Sequence, residues 1–288
     1  MMTGSPFYYF VLTPIFKVFG IKVVLEFRDP WCLRPEVSLK RYKLLRVVES
    51  MAIRFADSVI FVNDFVLDFY KKVYPNQRKK FEVIENGYFS LSNSKEESEL
   101  DFEVNEKVKH FLTKSRTEVV VIFSGKLIYR DITPFFRFLK KKNNVFLLKT
   151  GPKEERFCQL VKDYGLEDKI LDLGLLSYTD CMFLMKKYGD FNLLITSSYL
   201  WEATTKVFDG IQLKVPTLAL TPVNSYAHQV LLKTDSGLRS ENTAESITST
   251  FRDIMSRDFT FKAHHQYERS CQAEKLELII CNLVELDK

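Results

Sequence analysis

Short apolar runs alternate along the chain with segments of helical spacing. The run IKVVLEF (21–27) is apolar at almost every position, as in a strand covered on both faces. Residues 36–55 follow with helical spacing, which places Leu44, Leu45, Val48, Met51 and Ile53 toward one side. SVIFV (58–62) is a second strand, and Asn63 or Asp64 supplies a cap for the helix after it. FEVI (81–84) is a third strand and runs into Glu-Asn-Gly-Tyr. The stretch SLSNSKEESELD (90–101) is polar and acidic and reads as a linker.

Beyond the linker the alternation resumes. Strands are predicted at 118–123, 145–150, 169–173, 191–195 and 216–220. Helices are predicted near 132–142 and over 153–164, 178–188 and 203–213, and the remainder reads mostly as helix. This βαβα order predicts an α/β fold with parallel sheets covered by helices on both faces. The second half makes a complete doubly wound domain, whereas the first half offers three strands. The predicted domains are 1–92 and 93–288, with the last helix returning to the first domain.

Composition narrows the class. At 288 residues the chain is long enough for two domains, each with its own core. Hydrophobic residues make up 46% and charged residues 27%, the balance of a soluble globular protein. The 25 phenylalanines fall mostly inside periodic segments and read as core. A net charge of +5 is too small to argue for nucleic acid; a negatively charged substrate or an anionic membrane surface fits it. The five cysteines are scattered, with no C-x-x-C pair or zinc spacing, so they read as reduced thiols in the cytoplasm and no metal site is expected. The apolar N-terminus, interrupted by Pro14 and Lys17, is too short to span a bilayer and lacks the basic start of a signal peptide; it reads as a buried helix after the TGSP turn.

In doubly wound sheets, ligands sit where strand ends meet helix starts. Gly125, with Lys126 and Arg130 close by, follows strand 118–123, where backbone N–H groups and cations suit an anion. Gly151 and Pro152 follow strand 145–150 and open a helix with two glutamates in its first turn, a mainly structural arrangement. The segment TTKVFDG is more unusual. A helix beginning at Ala203 or Thr204 would carry Thr204, Thr205 and the cation Lys206 in its first turn, with Asp209 one turn on. A cation there is unfavourable beside the positive end of the helix dipole unless an anion offsets it. Two readings stay open: a surface Lys–Asp pair, or a phosphate-and-ribose site. In the first half, Arg28, Asp29 and Trp31 cluster at the end of strand 21–27, a combination suited either to sugar handling or to an Arg28–Asp29 pair or helix cap, and Asn86 sits at another strand end, where Asn-Gly is also an ordinary turn.

Taken in order, these pieces resemble the family-4 glycosyltransferases of the GT-B fold, the bacterial surface-polysaccharide type. The elements that carry the resemblance are RDPW (28–31), then Glu49 with Ala56-Asp57 and SVIFV, then ENGY, FSGKLIYRDITP, LGLLSYTDCMFLMKKYGDFNLLI and TTKVFDGIQLKVPTLAL. They span nearly the whole chain. The resemblance implies two Rossmann-like domains and retaining, metal-independent transfer from a nucleotide sugar to a glycan or lipid-linked acceptor. It implies that Lys206 and Arg130 hold the diphosphate, helped by backbone N–H groups at Gly125 and at the helix start. Asp209 would bind the ribose, and Asp29 and Trp31 would face the transferred sugar or acceptor. A basic first-half face (Lys40, Arg41, Lys43, Arg46, Lys71, Lys72) would rest on anionic lipid at the inner membrane face.

Three departures qualify these expectations. Asp209 stands where the family usually has glutamate, which shortens its reach. Asp-Gly replaces Glu-Tyr, which should loosen that helix. The chain begins near the fourth strand of the usual first domain, so that roughly 100 residues of that domain would be missing. A catalytically inactive remnant that at most binds nucleotide is therefore the alternative reading. A sugar-nucleotide epimerase on the same fold is a third, for which the sequence offers few cleft carboxylates or histidines.

Overall fold

The computed structural model describes residues 1–3, 6–30, 39–89, 100–112, 118–127, 130–262 and 264–285. Trp31, Cys32 and linker residues 90–99 lie outside the described residues. The chain divides into two compact units, Met1–Gly87 with Tyr267–Lys288, and Tyr88–Gln266. The first boundary thus falls a few residues before the predicted one, and the C-terminal segment groups with the first unit.

The first unit contains β1 (Met2–Thr3), α1 (Pro6–Val18), β2 (Val24–Phe27), α2 (Leu39–Phe55), β3 (Ser58–Phe61), α3 (Asp64–Val73) and β4 (Phe81–Val83). Its sheet is parallel, in the order β1-β2-β3-β4. The two-residue β1 escapes sequence reading because so short a segment has no periodicity. Asn63 caps α3, its side chain accepting from the Val66 N–H at 3.0 Å.

Two carboxylates of the Glu…Ala-Asp pattern have structural work here. Glu49 is fully buried on α2 and accepts hydrogen bonds from the Tyr70 and Tyr74 hydroxyls at 2.6 and 2.8 Å, tying α2 to α3 and the turn after it. Asp57 accepts from the Val23 N–H at 2.8 Å and pairs with Lys17 at 2.7 Å, joining α1 to the start of β2. On α2 the predicted apolar face is only partly inside. Ala52 and Ile53 are buried, but Leu44 and Met51 are exposed, as are Val47 and Phe55. The buried stripe is rotated toward Glu49, whose two tyrosine partners make a carboxylate tolerable inside.

The second unit runs α4 (Phe102–Phe111), β5 (Val119–Ser124), α5 (Thr133–Lys140), β6 (Val145–Thr150), α6 (Glu155–Tyr164), β7 (Ile170–Asp172), α7 (Tyr178–Tyr188), β8 (Phe191–Ile195), α8 (Lys206–Leu213), β9 (Thr217–Leu220), α9 (Tyr226–Thr234), β10 (Gly237–Ser240) and α10 (Ala244–Met255). The sheet order is β10-β9-β8-β5-β6-β7, all parallel. This is the doubly wound order in which the chain reverses direction between its first and fourth strands. Here the reversal lies between β5 and β8, and it places the segments after Ser124 and Ile195 side by side.

Phenylalanine builds one face of that sheet: Phe135, Phe136, Phe138 and Phe157 are fully buried, and the Phe138 and Phe251 rings pack at a tilt with centroids 4.9 Å apart. Val108, Leu184, Met185 and Val215 cover the other face. β10 is an addition to the predicted strands. Its sequence GLRS has no apolar run, and it is an edge strand whose Gly237 lies so close to β9 that a Cβ would sit 2.1 Å from the Thr217 carbonyl oxygen. A C-terminal helix, α11 (Arg269–Glu285), follows. Among the described residues no helix is long and apolar enough to cross a membrane.

Candidate nucleotide-binding site

A cavity of about 590 Å³ opens in the second unit, at the carboxyl ends of β5 and β6 and the starts of α7 and α8. It is lined by Gly125, Lys126, Arg130, Gly151, Lys206 and Asp209, all singled out in the sequence. Ser124, Thr150 and Cys181 join its polar lining, and Pro152, Leu175, Leu176, Tyr178 and Met182 add an apolar wall.

The two glycines shape its floor. Gly151 has φ +120°, and a Cβ there would lie 2.6 Å from the Gly125 carbonyl oxygen. Gly125 has φ +129°, and a Cβ there would lie 2.6 Å from Lys206 Cε. The lysine stem therefore runs across the glycine, a position that any larger residue would fill.

Lys206 is the first residue of α8, which starts two to three residues later than predicted. Its Nζ makes no hydrogen bond or ion pair among the described residues. Burial depresses its pKa, Asp209 opposes that shift, and the Arg130 charge adds to it. Asp209 is mostly buried, and burial pushes its carboxyl up to about 6 against the pull of Lys206 and a long hydrogen bond from Tyr178. The two form no ion pair within 4 Å, so the surface-pair reading does not hold: both groups face a cavity instead.

α8 is held from beneath. Asn192, buried on β8, donates to the Lys206 carbonyl at 3.2 Å and to Thr217 Oγ1 at 3.2 Å. The expectation that Asp-Gly loosens the helix is corrected by Gly210. A Cβ there would lie 2.6 Å from Thr217 Oγ1 and 2.8 Å from the Val215 carbonyl oxygen, so glycine lets α8 press onto the sheet.

The backbone amides expected to face an anion are largely committed elsewhere. The Gly125 N–H donates to the Thr150 carbonyl and the Gly151 N–H to the Gly174 carbonyl, both at 2.8 Å. The Leu127 N–H donates to the Glu154 carboxylate at 3.0 Å. At the helix start, Thr204 Oγ1 accepts from the Lys206 N–H at 3.3 Å and the Thr205 carbonyl from the Phe208 N–H at 3.0 Å. Thr204 and Thr205 do not line the cavity, and Thr205 is exposed. Sheet ends and helix caps satisfy these donors first. Anion recognition at this site therefore falls chiefly to the side-chain cations.

Arg130 is the second cation. Its Nη2 pairs with Glu202 at 2.5 Å, its Nη1 donates to the Lys126 carbonyl at 3.0 Å, and its buried Nε has no hydrogen-bond partner among the described residues. The other Glu202 oxygen accepts from the Ser197 N–H and hydroxyl at 2.6 and 2.5 Å. Sequence reasoning assigned no role to Glu202, Tyr178, Cys181 or Asn192. Tyr178, Cys181 and Asn192 lie in a segment that carries the family resemblance and Glu202 lies between two such segments; only the fold brings Tyr178 and Cys181 to the cavity and Glu202 to its arginine. Burial raises the Cys181 thiol pKa, so it is not an activated nucleophile.

The remaining candidates belong to the first unit. Arg28 and Asp29 are exposed just after β2, and Asn86 is buried near the end of that unit's first segment. Trp31 lies outside the described residues. Among the described residues no cluster of three or more His, Cys, Asp or Glu side chains has a metal-binding arrangement.

No protein-family model matches the sequence, and no curated protein sequence matches it. Solved structures do. The chain is similar to sucrose-phosphate synthase from Thermosynechococcus elongatus, with TM-score 0.73 and 13% identity, covering 98% of this chain and 72% of that one. It is similar to Anabaena HepE in complex with UDP, with TM-score 0.74 and 14% identity, covering 96% of this chain and 77% of that one. A UDP-GlcNAc 2-epimerase from Methanocaldococcus jannaschii matches with TM-score 0.56 and 10% identity, covering 95% of this chain and 74% of that one. At such identities the likeness establishes the fold, which is the GT-B type with two Rossmann-like units.

Proposed function

We propose that the chain is a glycosyltransferase that takes its sugar from a nucleoside-diphosphate donor bound in the second unit. One observation carries the reading: at the sheet's reversal point, a mostly buried ammonium without an ion-pair partner among the described residues and a mostly buried carboxylate face one cavity across a glycine floor. The complexes of HepE with UDP and UDP-glucose support it by analogy of fold. Lys206 and Arg130 bind the diphosphate and stabilise its charge as it departs. Asp209 accepts from the ribose hydroxyls. Pro152, Leu175, Leu176 and Met182 give the base an apolar wall. The bound diphosphate raises the Lys206 pKa again by supplying the anion that its surroundings lack.

The finer parts of the proposal are retention at the anomeric carbon, transfer without a metal, and a role in polysaccharide assembly with a glycan or lipid-linked acceptor. Asp29 is the third catalytic residue, with Lys206 and Arg130, and Arg28, Trp31 and Asn86 belong to the acceptor side. Peripheral membrane contact is supported by α2, which exposes Leu44, Val47, Met51 and Phe55 along one stripe beside Lys43. Incubating the protein with UDP- and GDP-sugars and candidate acceptors, with and without EDTA, tests the activity. Glycosylated product with the donor's anomeric configuration by NMR is the expected result. Nucleotide binding without transfer to any acceptor would favour the inactive-remnant alternative.

A further inference from the structure

A second cavity, of about 390 Å³, lies on the other side of Arg130 at the carboxyl ends of β8, β9 and β10. Its lining includes Thr196, Ser197, Ser198, Thr221 and Arg239 together with Arg130. The Arg130–Glu202 pair thus stands at the border of two cavities.

The charges on this wall are unequal. Arg130 is neutralised by Glu202, both being mostly buried. Of the cavity's own carboxylates, Asp131 is committed to the start of α5, where it accepts from the Thr133 N–H and hydroxyl at 2.9 and 2.7 Å. Glu241 is 65% exposed and reaches Arg239 Nη2 only at 3.5 Å. Arg239 itself is 21% exposed and anchored by its Nε on the Thr221 carbonyl at 2.9 Å. One edge of this guanidinium is fixed by backbone, while its Nη1 makes no hydrogen bond among the described residues. A mostly buried, oriented guanidinium with a weak, solvated counter-charge suits a carboxylate or phosphate. The Asn242 amide N–H donates to the Asp131 carbonyl at 2.7 Å, the Thr196 and Thr221 hydroxyls pair with each other at 2.7 Å and the Ser197 hydroxyl donates to Glu202, so these groups meet a polyol as acceptors, through their remaining oxygen lone pairs.

We propose that this cavity is a subsite for an oxyanion-bearing sugar, with Arg239 as the anchor for its carboxylate or phosphate group. The inference rests on the glycosyltransferase reading only in attaching that anion to a sugar. Two sources supply such a group: a uronic acid transferred from the donor, or a phosphate ester on the acceptor.

The test titrates glucuronate, glucose 6-phosphate, inorganic phosphate and glucose into the full chain by calorimetry, alongside UDP and GDP. The variants are Arg239→Ala, Arg239→Gln and Lys206→Ala, each checked for an unchanged circular-dichroism spectrum. At least one anionic sugar should bind tenfold or more tightly than glucose or inorganic phosphate. Both Arg239 variants should weaken it at least tenfold, and Lys206→Ala less than twofold. Binding of glucuronate points to the donor's sugar as the source, and binding of glucose 6-phosphate to the acceptor. No binding of either sugar to folded protein, or equal binding by wild type and Arg239→Gln, overturns the subsite. Loss of UDP and GDP binding with anionic-sugar binding intact would instead overturn the donor-site reading and leave the subsite standing.

Discussion

At the residue scale the site is a set of charges that the fold holds away from water before any ligand arrives. Asp209 shows the cost. Its carboxyl titrates near 6 in the folded chain against 3.8 in the unfolded one. Between those values the folded state binds the extra proton, so folding is favoured below pH 3.8 and that advantage is lost as pH rises toward 6. Replacing the carboxylate should therefore stabilise the ligand-free protein. Asp209→Asn is expected to gain roughly 1–3 kcal/mol at pH 7 and nothing below about pH 4. Denaturant melts of both proteins across this range would check it, and a variant less stable at pH 7 would show that the carboxylate is paired. Lys206 and Asp209 were legible in the sequence because a lysine in a helix's first turn conflicts with the helix dipole. Glu202 was not, because its partner Arg130 lies 72 residues away.

At the scale of elements, α8 and the strands beneath it determine where Lys206 and Asp209 stand. Gly210 lets the helix lie on Thr217 and Val215, and Asn192 ties its first turn to β8. Gly210→Ala should force α8 off the sheet, destabilising the second unit by about 1–3 kcal/mol and weakening nucleotide binding with it. Thermal melts and a titration would measure both; an unchanged affinity would mean that the helix position is not what orders the site. The glycine looked like a helix defect in sequence because its reason lies on β9. The βαβα alternation gave most strands and helices correctly, since buried parallel strands are continuous apolar runs. It missed β1, which is too short for a pattern, and β10, an edge strand without an apolar run. The amides at the strand ends were over-read for a similar reason: sequence shows that an N–H is present but not that a carbonyl already accepts from it.

At the scale of the whole molecule, the chain consists of two units with separate sheets, and the cavity proposed to take the nucleotide is lined by residues of the second. Nucleotide should therefore slow hydrogen exchange first at the ends of β5 and β6 and at the starts of α7 and α8. Protection absent from these segments but present in β2 to β4 would place the ligand in the other unit. A saturating nucleotide should also raise the melting temperature of the second unit's transition in proportion to ln(1 + [L]/Kd). Much of the two-unit plan was visible in the sequence, because the polar stretch 90–101 separates two series of apolar runs. The return of the C-terminal segment to the first unit is a matter of packing that no local pattern fixes.

The proposed donor site stands or falls with Lys206 as the anchor of a nucleoside diphosphate in the second unit. Calorimetric titration of UDP and GDP into wild type and Lys206→Ala, in EDTA, tests it most directly. One of the two nucleotides is expected to bind to wild type without metal. Lys206→Ala should weaken that binding by at least about tenfold, or some 1.4 kcal/mol, while keeping the wild-type fold. Equal affinity in the two proteins, or no binding of either nucleotide to folded wild type, would contradict it.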